Sequence, residues 1–529
     1  MTYDLIIIGA GINGAGMARD AAMRGLKVLL MDKGDIGGGT TSWSSRLIHG
    51  GLRYLEYGEL GLVRESLRER EILLKQAPHL VRPLPLLIPI YERSSRGPLT
   101  IRVGMLAYDL LSFDKSLPRH RFLSGGAALE RVPGLARGGL LNAALYYDAQ
   151  VEFPERLTIE NVLSAKESGA EVRTYLKVKR ILAENGRVRG VKAEDALDGT
   201  VDQFNAPVVL NVAGPWVDEV LNGSLPDRSR LIGGTKGSHI VVERFPGAPS
   251  DALYVEALQD KRPFFILPWN GLYLIGTTDE KFRGSPDFVE PTDKEIDYLL
   301  SETLRVLPNA GLTRQSVLYS YAGVRPLPFV EEGDPRGITR KHFIRKHPIQ
   351  GLYSVVGGKL STYRSLSEEA IDLVFESLNR KSPKCETSSA ALPGALHPKF
   401  IDEVQPDAGG MLNQSTLNRL LRIYGYRTLE LVSVAKTKPE LAEIIDEHTG
   451  AIAAEVVFAF ECEFARTLTD FMARRSMIGL SGHSSIEAAA KAVEVGQRNL
   501  GWSLKQADNE LENYTNYLYG KLPADFRQA

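Results

Sequence analysis

The sequence has very little cysteine. Only Cys385 and Cys462 occur among its 529 residues. They form neither a C-x-x-C pair nor a cluster with metal-ligand spacing, so we predict no metal site and no disulfide framework. A reducing compartment, the cytoplasm, is therefore the expected location.

Long apolar runs and an excess of one charge are also missing. No uninterrupted apolar stretch reaches about 18 residues, the length that predicts a membrane-spanning helix. The N-terminus lacks the basic segment that opens a signal peptide. Lys and Arg number 64, Asp and Glu number 65, and the net charge is −1. Because nucleic-acid-binding proteins usually carry a basic excess, we expect no nucleic-acid partner.

The composition that is present is that of a soluble globular protein. Hydrophobic residues make up 43% of the chain and charged residues 24%, which is enough apolar material for a sizeable core. The length corresponds to roughly three to four domain-sized pieces.

The chain opens with a strand, a helix and a second strand. Residues 4–9 (DLIIIG) predict a buried strand, residues 13–24 a helix, and residues 27–31 a strand that ends at Asp32. This is a βαβ unit, which indicates a parallel sheet and an α/β fold.

The loop between the first strand and the helix reads Gly9-x-Gly11-x-x-Gly14. Gly9 permits a tight turn, Gly11 lets the backbone approach a pyrophosphate, and Gly14 allows close packing of helix on sheet. Asp32 is placed to accept hydrogen bonds from a ribose. The alternative is a glycine-rich turn in an unrelated α/β protein, but the strand, helix and acidic residue in order favour a dinucleotide site.

Two later segments favour FAD over NAD. The sequence has no second glycine fingerprint for a nicotinamide cofactor. Gly169-Ala170 with Val178 is typical of the segment beside the adenine in two-dinucleotide-binding-fold flavoproteins, and the strand at residues 207–213 ends at Gly214.

The motif Gly357-Gly358-Lys359 leads into a helix that starts near Leu360. A helix N-terminus there would stabilise negative charge on a reduced flavin. The alternative, a common strand–helix turn, has equal weight from this motif alone.

Further elements follow from periodicity and composition. Strands are predicted at 171–193, 207–213, 236–244, 263–278, 316–324 and 352–356, and helices at 59–76 and 360–379. Beyond residue 394 the pattern is mostly helical.

Residues 41–56, TSWSSRLIHGGLRYLE, resemble the FAD-dependent, quinone-linked glycerol-3-phosphate dehydrogenases of the aerobic type. Other segments agree in order. They are NVAGPWVD (211–218), GSHIVV (237–242), PFFILPW (263–269), IGTTD (275–279), AGVRPL (322–327), ITR (338–340) and VVGGKLSTYR (355–364).

The resemblance implies three domains. An FAD-binding domain of the glutathione-reductase/D-amino-acid-oxidase type is expected to combine residues 1–82, 140–228 and 346–390. An antiparallel-sheet substrate domain is expected at 83–139 and 229–345, and an all-α domain at 391–529.

The resemblance also implies which residues contact FAD, held without a covalent bond. They are Gly9, Gly11, Asn13, Gly14, Asp32, Thr41, Ser45, His49, Val178, Gly214, Gly358, Leu360 and Thr362. His49 has a second interpretation, since related amine-oxidising flavoproteins attach their flavin through a histidine in a comparable stretch.

The chemistry implied is oxidation of sn-glycerol 3-phosphate at C2 to dihydroxyacetone phosphate. Hydride goes to flavin N5 and the electrons pass to a membrane quinone. A phosphodianion needs cations, and arginine is its best bidentate partner. The substrate residues implied are Arg53, Tyr54, Arg325 and Arg340.

The proton of the C2 hydroxyl has more than one candidate acceptor. His239 could take it, because imidazole titrates near neutral pH. Lys359 or Arg325 could instead stabilise the developing alkoxide. The sequence does not decide between these roles.

Three other functions share parts of this pattern. A glycerol-3-phosphate oxidase would pass electrons to oxygen. An amine or amino-acid oxidase would need a carboxylate pocket, and a non-enzymatic flavin scaffold would leave the cationic residues idle.

A basic amphipathic helix is predicted to start near Gly97-Pro98, with Arg93, Arg96 and Arg102 nearby. Its apolar residues share one face and are Leu99, Val103, Leu106, Leu110 and Phe113. Either this face lies in an anionic membrane surface, or the helix covers a core. The resemblance favours peripheral attachment to the cytoplasmic face of the inner membrane. The C-terminal helices suit a packing role, a homodimer interface or a site for another partner.

Overall fold

The computed structural model describes residues 2–222, 224, 230–330, 340–395, 410–482 and 485–522. Two large sheets and a C-terminal group of helices account for most of these residues. The α-helices are Ile12–Met23, Leu52–Glu56, Leu60–Gln76, Pro98–Leu111, Gly125–Arg131, Pro154–Glu167, Val217–Leu221, Asp293–Val306, Tyr363–Ser377, Gln414–Tyr424, Thr428–Ala435, Ala454–Cys462, Leu468–Asp470, Ile486–Asn499 and Leu504–Tyr519.

The first sheet contains six described strands. Their spatial order is Phe343–Lys346, Leu352–Val356, Val208–Asn211, Leu5–Ile8, Val28–Met31 and Glu171–Arg173. Every neighbouring pair is parallel except the antiparallel edge strand Phe343–Lys346. The inner strands are buried, as their unbroken apolar sequences require. The predicted βαβ unit is confirmed.

Both faces of this sheet are covered. Helices Ile12–Met23, Pro154–Glu167 and Tyr363–Ser377 pack on one face through a core that includes Leu5, Ile7 and Leu30. A three-stranded antiparallel sheet packs on the other face. Its strands are Leu176–Glu184, Arg187–Asp195 and Val201–Asn205.

The second sheet contains ten described strands and is largely antiparallel. In spatial order, eight are Glu280–Lys281, Thr235–Val242, Leu272–Gly276, Pro263–Trp269, Ala252–Glu256, Val81–Tyr91, Leu140–Val151 and Leu47–Ile48. Strand Val317–Arg325 also pairs with Thr235–Val242, and Arg121–Ser124 pairs with Leu140–Val151.

Strand Leu140–Val151 corrects one predicted boundary. The resemblance implied that residues 140–228 belong together in the cofactor domain, but this strand pairs along its length with Val81–Tyr91 in the second sheet. The prediction failed because the pairing partner lies far away in sequence and contains Pro83, Pro85 and Pro89. Prolines argue against a central strand, and here the strand is paired on both sides only near Leu86. The other domain boundaries stay predictions.

The described C-terminal residues are mainly helical. A short hairpin of Ile444–Asp446 and Ala451–Ile452 and a π-helical turn at Phe471–Arg475 interrupt the helices. These helices join the second sheet in one hydrophobic core, so the C-terminal region is packed against the body of the molecule.

Candidate active site

A cavity of about 610 Å³ opens at the carboxyl ends of the first sheet's strands. Its floor is the loop that follows Leu5–Ile8. Gly9 has a φ of +109°, and a Cβ there would lie 2.6 Å from the carbonyl oxygen of Val212. A Cβ on Gly14 would lie 1.8 Å from the carbonyl oxygen of Gly9. The loop can therefore take this path only with glycine at both positions.

The helix Ile12–Met23 points its N-terminus at this cavity. Its N-cap is Gly11, and its first turn contains no acidic residue. The Ile12 N–H donates to Thr41 Oγ1 at 3.1 Å. A helix N-terminus without a carboxylate carries a partial positive charge that suits a bound phosphate group.

Asp32 is held rigidly at the rim of the cavity. Its Oδ2 accepts a hydrogen bond from the Ala10 N–H at 2.6 Å, and its Oδ1 accepts one from the Gly34 N–H at 2.9 Å. Burial raises the pKa of Asp32 overall, and the two N–H groups, which favour the charged form, offset only part of this rise. The carboxylate lines the cavity and is oriented to accept hydrogen bonds from a ribose.

The opposite end of the cavity is formed by Asn13 and Gly358. A Cβ on Gly358, where φ is +103°, would lie 2.6 Å from Asn13 Nδ2. Asn13 Oδ1 is buried and has no hydrogen-bond partner among the described residues. A buried amide oxygen normally has a partner, so this atom is available to a ligand.

Most of the predicted cofactor residues line this cavity. They are Gly9, Gly11, Asn13, Asp32, Thr41, Val178, Gly214, Gly358 and Leu360. Gly14 packs beneath the loop, and Thr362 is buried away from the lining.

A second cavity of about 540 Å³ adjoins the first. The two share Thr40, Pro326, Gly358 and Lys359 as lining residues. Ser45 and His49, predicted to contact the cofactor, line only this second cavity. A molecule bound here would contact a molecule bound in the first cavity beside Lys359, where the two cavities meet.

The second cavity is strongly cationic. Among the described residues, five basic side chains line it against the two carboxylates of Glu59 and Asp279. The basic residues are Arg53, Arg262, Arg325, Arg340 and Lys359. Tyr54, also predicted for the substrate, lines the same wall.

Asp279 organises three of these guanidinium groups. Its carboxylate accepts from Arg325 Nη1 at 3.1 Å and from Arg340 Nη2 at 3.2 Å, and lies 4.0 Å from Arg262 Nη2. Burial raises the pKa of Asp279, but the guanidiniums of Arg325 and Arg340 outweigh it and lower the pKa overall. The cluster keeps an excess of positive charge facing the cavity.

Arg325 ends the strand Val317–Arg325 and is fixed by further contacts. Its Nη2 donates to Thr277 Oγ1 at 3.0 Å and to the carbonyl of Thr278 at 3.1 Å. Burial, helped by the like charge of Arg340, lowers the pKa of Arg325 to about 10. It therefore remains a cation at neutral pH and is ready for an anionic ligand.

Lys359, which lies where the two cavities meet, has a strongly lowered pKa. Burial lowers the pKa of Lys359 to about 7, although Glu59 and Glu65 favour the charged form. The Nζ atom lies 3.6 Å from the centre of the Tyr54 ring. A group that titrates near neutrality in a cleft is typical of functional sites.

His239 does not reach either cavity. It is buried behind Ser45, whose Oγ is 2.8 Å from His239 Nε2, and its ring stacks on Tyr321 with centroids 4.9 Å apart. Burial and the nearby charges of Arg325 and Arg46 lower the pKa of His239 to about 3. The catalytic role that the sequence suggested for His239 requires direct contact with a ligand. A side chain in this position does not make such a contact, because Ser45 lies between it and the cavity.

His49 is the histidine that faces the second cavity. Burial lowers its pKa to about 4, with Lys359 adding to the shift and Asp148 opposing it. Its backbone N–H donates to Ser361 Oγ at 3.1 Å. No hydrogen bond from a described residue to its ring nitrogens is observed, so the neutral imidazole is free to contact a ligand.

Comparison with known proteins decides the family. Residues 4–364 match the family described as FAD dependent oxidoreductase, and residues 385–507 match the C-terminal domain of alpha-glycerophosphate oxidase. A glycerol-3-phosphate dehydrogenase of Synechocystis is 47% identical over 98% of this chain and 96% of its own length.

The chain belongs to the FAD-dependent glycerol-3-phosphate dehydrogenases.

Solved structures agree with this. The glycerol-3-phosphate dehydrogenase from Bacillus halodurans complexed with FAD superposes with a TM-score of 0.80 at 28% identity, covering 99% of this chain and 96% of that one. The L-alpha-glycerophosphate oxidase from Mycoplasma pneumoniae has a TM-score of 0.57 at 17% identity, covering 74% of this chain and 99% of its own, a likeness in fold alone.

The first cavity fits the FAD of this dehydrogenase family. A bound dinucleotide would use the close-approach glycines Gly9 and Gly358 and the helix N-terminus, whose first turn has no acidic residue. It would also use the fixed Asp32 side chain and the Asn13 oxygen that has no partner among the described residues.

Two residues of the second cavity, Asp279 and Arg262, were not predicted from sequence as site residues. Asp279 is the last residue of the IGTTD motif. The signal that could have identified it is an acidic residue in a motif of a site that is otherwise basic. Arg262 precedes strand Pro263–Trp269 and gave no local signal. Of the ITR motif, Arg340 lies in the second cavity, whereas residues 338 and 339 lie outside the described residues.

Proposed function

We propose that this dehydrogenase oxidises sn-glycerol 3-phosphate at C2 to dihydroxyacetone phosphate and delivers the electrons to a membrane quinone. The single observation that carries the substrate assignment is the arginine cluster around Asp279, which lines a cavity continuous with the FAD cavity.

The arginine cluster suits a phosphodianion. Guanidinium groups bind phosphate through two parallel N–H bonds, and Arg262, Arg325 and Arg340 converge on one carboxylate. A carboxylate substrate, as in an amino-acid oxidase, would need less charge than this wall supplies. We assign the phosphate to Arg325 and Arg340, with Arg53 and Tyr54 flanking the substrate.

The proton of the C2 hydroxyl is assigned to His49. Its imidazole is neutral and faces the cavity, and a dianion bound nearby raises its pKa towards neutrality. The same dianion keeps Lys359 protonated, so that its ammonium stabilises negative charge on the C2 oxygen. His239 then acts only by orienting Ser45 through their hydrogen bond.

The chemistry that FAD supplies when bound is acceptance of a hydride. Tyr146, Tyr254 and Phe265 line the second cavity, and their rings would displace water from around a bound substrate. A dry site strengthens each contact between a guanidinium group and the phosphate.

Anaerobic titration of the purified holoenzyme tests the substrate assignment. Stepwise addition of sn-glycerol 3-phosphate should bleach the flavin absorbance, whereas glycerol and sn-glycerol 1-phosphate should leave it unchanged at equal concentration. A flavin that glycerol 3-phosphate leaves oxidised would refute the proposal.

A membrane acceptor is supported by the helix Pro98–Leu111. Its apolar side is in solvent: Leu99 and Leu110 are each 75% exposed and the following Phe113 is 76% exposed. The alternative of a helix that covers a core with this face is therefore wrong. An apolar face of this kind suits the headgroup boundary of an anionic bilayer on the cytoplasmic side. Within the described part of the chain, no helix has both the length and the apolar composition to cross a bilayer.

The electron acceptor is tested by two parallel assays. With glycerol 3-phosphate as donor, we expect a ubiquinone analogue to be reduced many times faster than oxygen is converted to peroxide. Peroxide formation at the faster rate would instead identify a glycerol-3-phosphate oxidase.

A further inference from the structure

The backbone on both sides of His49 is held by side-chain hydroxyl groups. The His49 N–H donates to Ser361 Oγ at 3.1 Å, and the same hydroxyl donates to the His49 carbonyl oxygen at 3.3 Å. The next N–H along the chain, that of Gly50, donates to the Tyr108 hydroxyl oxygen at 2.9 Å. Both peptide groups that flank the His49 Cα are therefore fixed, and with them the direction of its Cα–Cβ bond.

The contact between Gly50 and Tyr108 requires that residue 50 have no side chain. A Cβ on Gly50 would lie 2.6 Å from the Tyr108 hydroxyl oxygen and 2.7 Å from Leu67 Cδ2. Tyr108 is buried, at 2% exposure. The hydroxyl thus meets the backbone of the His49 loop directly, in a place shielded from solvent.

Asp148 sets the direction of the Tyr108 hydroxyl. This hydroxyl donates to the Asp148 carboxylate, with its oxygen 2.7 Å from Oδ1 and 2.8 Å from Oδ2. A hydroxyl has one hydrogen to donate, so a Tyr108 that donates to Asp148 presents its lone pairs to the Gly50 N–H. Burial, with the charge of Asp148 adding to it, raises the pKa of Tyr108 well above its usual range. The hydroxyl therefore keeps its hydrogen at neutral pH.

Arg70 holds the Asp148 carboxylate in turn. Its Nη1 donates to Asp148 Oδ1 at 2.7 Å and to the carbonyl oxygen of Tyr147 at 3.2 Å. The side chains of Arg70 and Asp148 are 0% and 1% exposed. Because a buried carboxylate needs a charged partner, this pair gives Asp148 a fixed position behind Tyr108.

The elements that carry these residues are distant in the sequence. They are Leu47–Ile48 with the loop that follows it, Leu60–Gln76, Pro98–Leu111 and Leu140–Val151. The third of them, the helix with the exposed apolar face, therefore holds the His49 loop from its buried side.

We propose that Tyr108 and Asp148 are positioning residues for His49, and that they hold its loop so that the imidazole faces the substrate. The inference rests on the assignment of His49 as the base for the C2 hydroxyl. Neither Tyr108 nor Asp148 lines either cavity, so both act on the reaction through the backbone of the loop and not by contact with the substrate.

The test is a double-variant cycle in anaerobic stopped-flow reduction of the flavin by sn-glycerol 3-phosphate. The holoenzymes compared are the parent, Tyr108→Phe, His49→Asn and the combination of both substitutions. Tyr108→Phe removes only the hydroxyl. We expect it to slow flavin reduction about tenfold, since a small displacement of a catalytic group is costly, while the dissociation constant of the substrate stays that of the parent.

The combined variant shows whether Tyr108 acts through His49. Once His49 is replaced by asparagine, Tyr108→Phe should cause no further slowing, because the group that it positions is absent. Asp148→Asn keeps the size of the side chain but no longer fixes the hydroxyl hydrogen, and it should slow flavin reduction in the same way.

Tyr319→Phe is the matched control. Tyr319 is also buried, its hydroxyl donates to the Leu480 carbonyl oxygen at 3.1 Å, and it lines neither cavity. This variant loses a buried hydrogen bond elsewhere in the fold and should reduce its flavin at the parent rate.

The possible failures are distinguishable. A parent rate in Tyr108→Phe, or an equal slowing by Tyr108→Phe with and without His49, would overturn the positioning role and leave the base assignment standing. A weaker substrate affinity with an unchanged rate of flavin reduction would also overturn it. A parent rate in His49→Asn would refute the base assignment and the positioning role together.

Discussion

Arg325 is the residue on which substrate recognition depends most. We expect Arg325→Ala to lower kcat/KM for glycerol 3-phosphate about a hundredfold, because one charge-assisted bond pair is lost. FAD should remain bound, since Arg325 does not line the first cavity. Steady-state kinetics with flavin content check both points, and Arg345→Ala, on an exposed position, is the control. Normal turnover in Arg325→Ala would remove its assignment.

Lys359 should give the enzyme an alkaline limit. Because burial lowers its pKa to about 7 in the free enzyme, the ammonium is lost as pH rises above that value. We expect kcat/KM to fall above about pH 7. The Lys359→Met variant should have a lower kcat/KM at every pH and should not show this decline. The second ionisation of a phosphate ester lies near pH 6, so it does not account for a decline on this side.

His49 should control the acid side of the chemical step. Protonation of the imidazole removes the base, so flavin reduction should slow as pH falls through the pKa of His49 in the substrate complex. We expect His49→Asn to slow anaerobic flavin reduction by about 10²–10⁴-fold while keeping the substrate affinity. Stopped-flow absorbance measures the rate of flavin reduction, and His239→Asn is the comparison variant. A rate in His49→Asn equal to that of the parent would show that another group is the base.

The residues of the site were only partly predictable. Gly9, Gly11 and Asp32 follow from local pattern, because a strand, a tight turn and a helix fix their surroundings. The meeting of Arg262, Asp279 and Arg325 depends on the pairing of distant strands, which no local pattern states. The place of His239, one of the candidate groups that the sequence left open, could not be predicted for the same reason, since its burial behind Ser45 is set by the register of its strand with Tyr321.

At the scale of elements, the helix Pro98–Leu111 makes a prediction about membranes. Arg96, one of the three arginines near the start of this helix, is paired with Glu56 and Glu256, so the apolar side chains should matter more. We expect Leu106→Asp with Leu110→Asp to reduce binding to anionic vesicles at least tenfold, because burial of each leucine contributes about 1.5–3 kcal/mol when complete.

Vesicle co-sedimentation at low salt measures this binding. Leu504→Asp is the control, since Leu504 is 77% exposed on the last helix, elsewhere in the chain. Soluble activity with a water-soluble acceptor should be unchanged in both variants. Unaltered sedimentation of the double variant would dismiss the helix as the contact.

The elements themselves were the most predictable level. The first strands and helix, the helix Leu60–Gln76 and the helix beginning at Pro98 appear where periodicity and caps predict them. Other elements were not predicted, among them strands Val81–Tyr91 and Leu140–Val151 and helices Pro154–Glu167 and Asp293–Val306. In Val81–Tyr91 the prolines conceal a pairing that tertiary contacts impose.

At the scale of the whole molecule, a buried ion cluster of Asp35 with Arg474 and Arg475 joins the N-terminal cofactor loop to the C-terminal region. Arg475 is fully buried and paired with Asp35. We expect Arg475→Ala to lower the free energy of unfolding by about 3 kcal/mol, the lower end for a broken buried pair, because Arg474 still contacts Asp35. Urea denaturation measures this, and Arg498→Ala, a surface pair with Glu494, should cost about 0.5 kcal/mol or less. The predicted homodimer stays a prediction.

Arg474, Tyr517 and Lys521, from the C-terminal region, line the same cavity as the loop at Gly9, and this has a consequence for biosynthesis. Translation proceeds from the N-terminus, and early domains often fold while the ribosome is still at work. The loop at Gly9 emerges from the ribosome among the first residues. Lys521, which lines the same cavity, emerges about five hundred residues later. In a nascent chain stalled before that point, the cofactor cavity would lack the part of its wall that Tyr517 and Lys521 form. We therefore expect the flavin to bind after translation has passed Lys521.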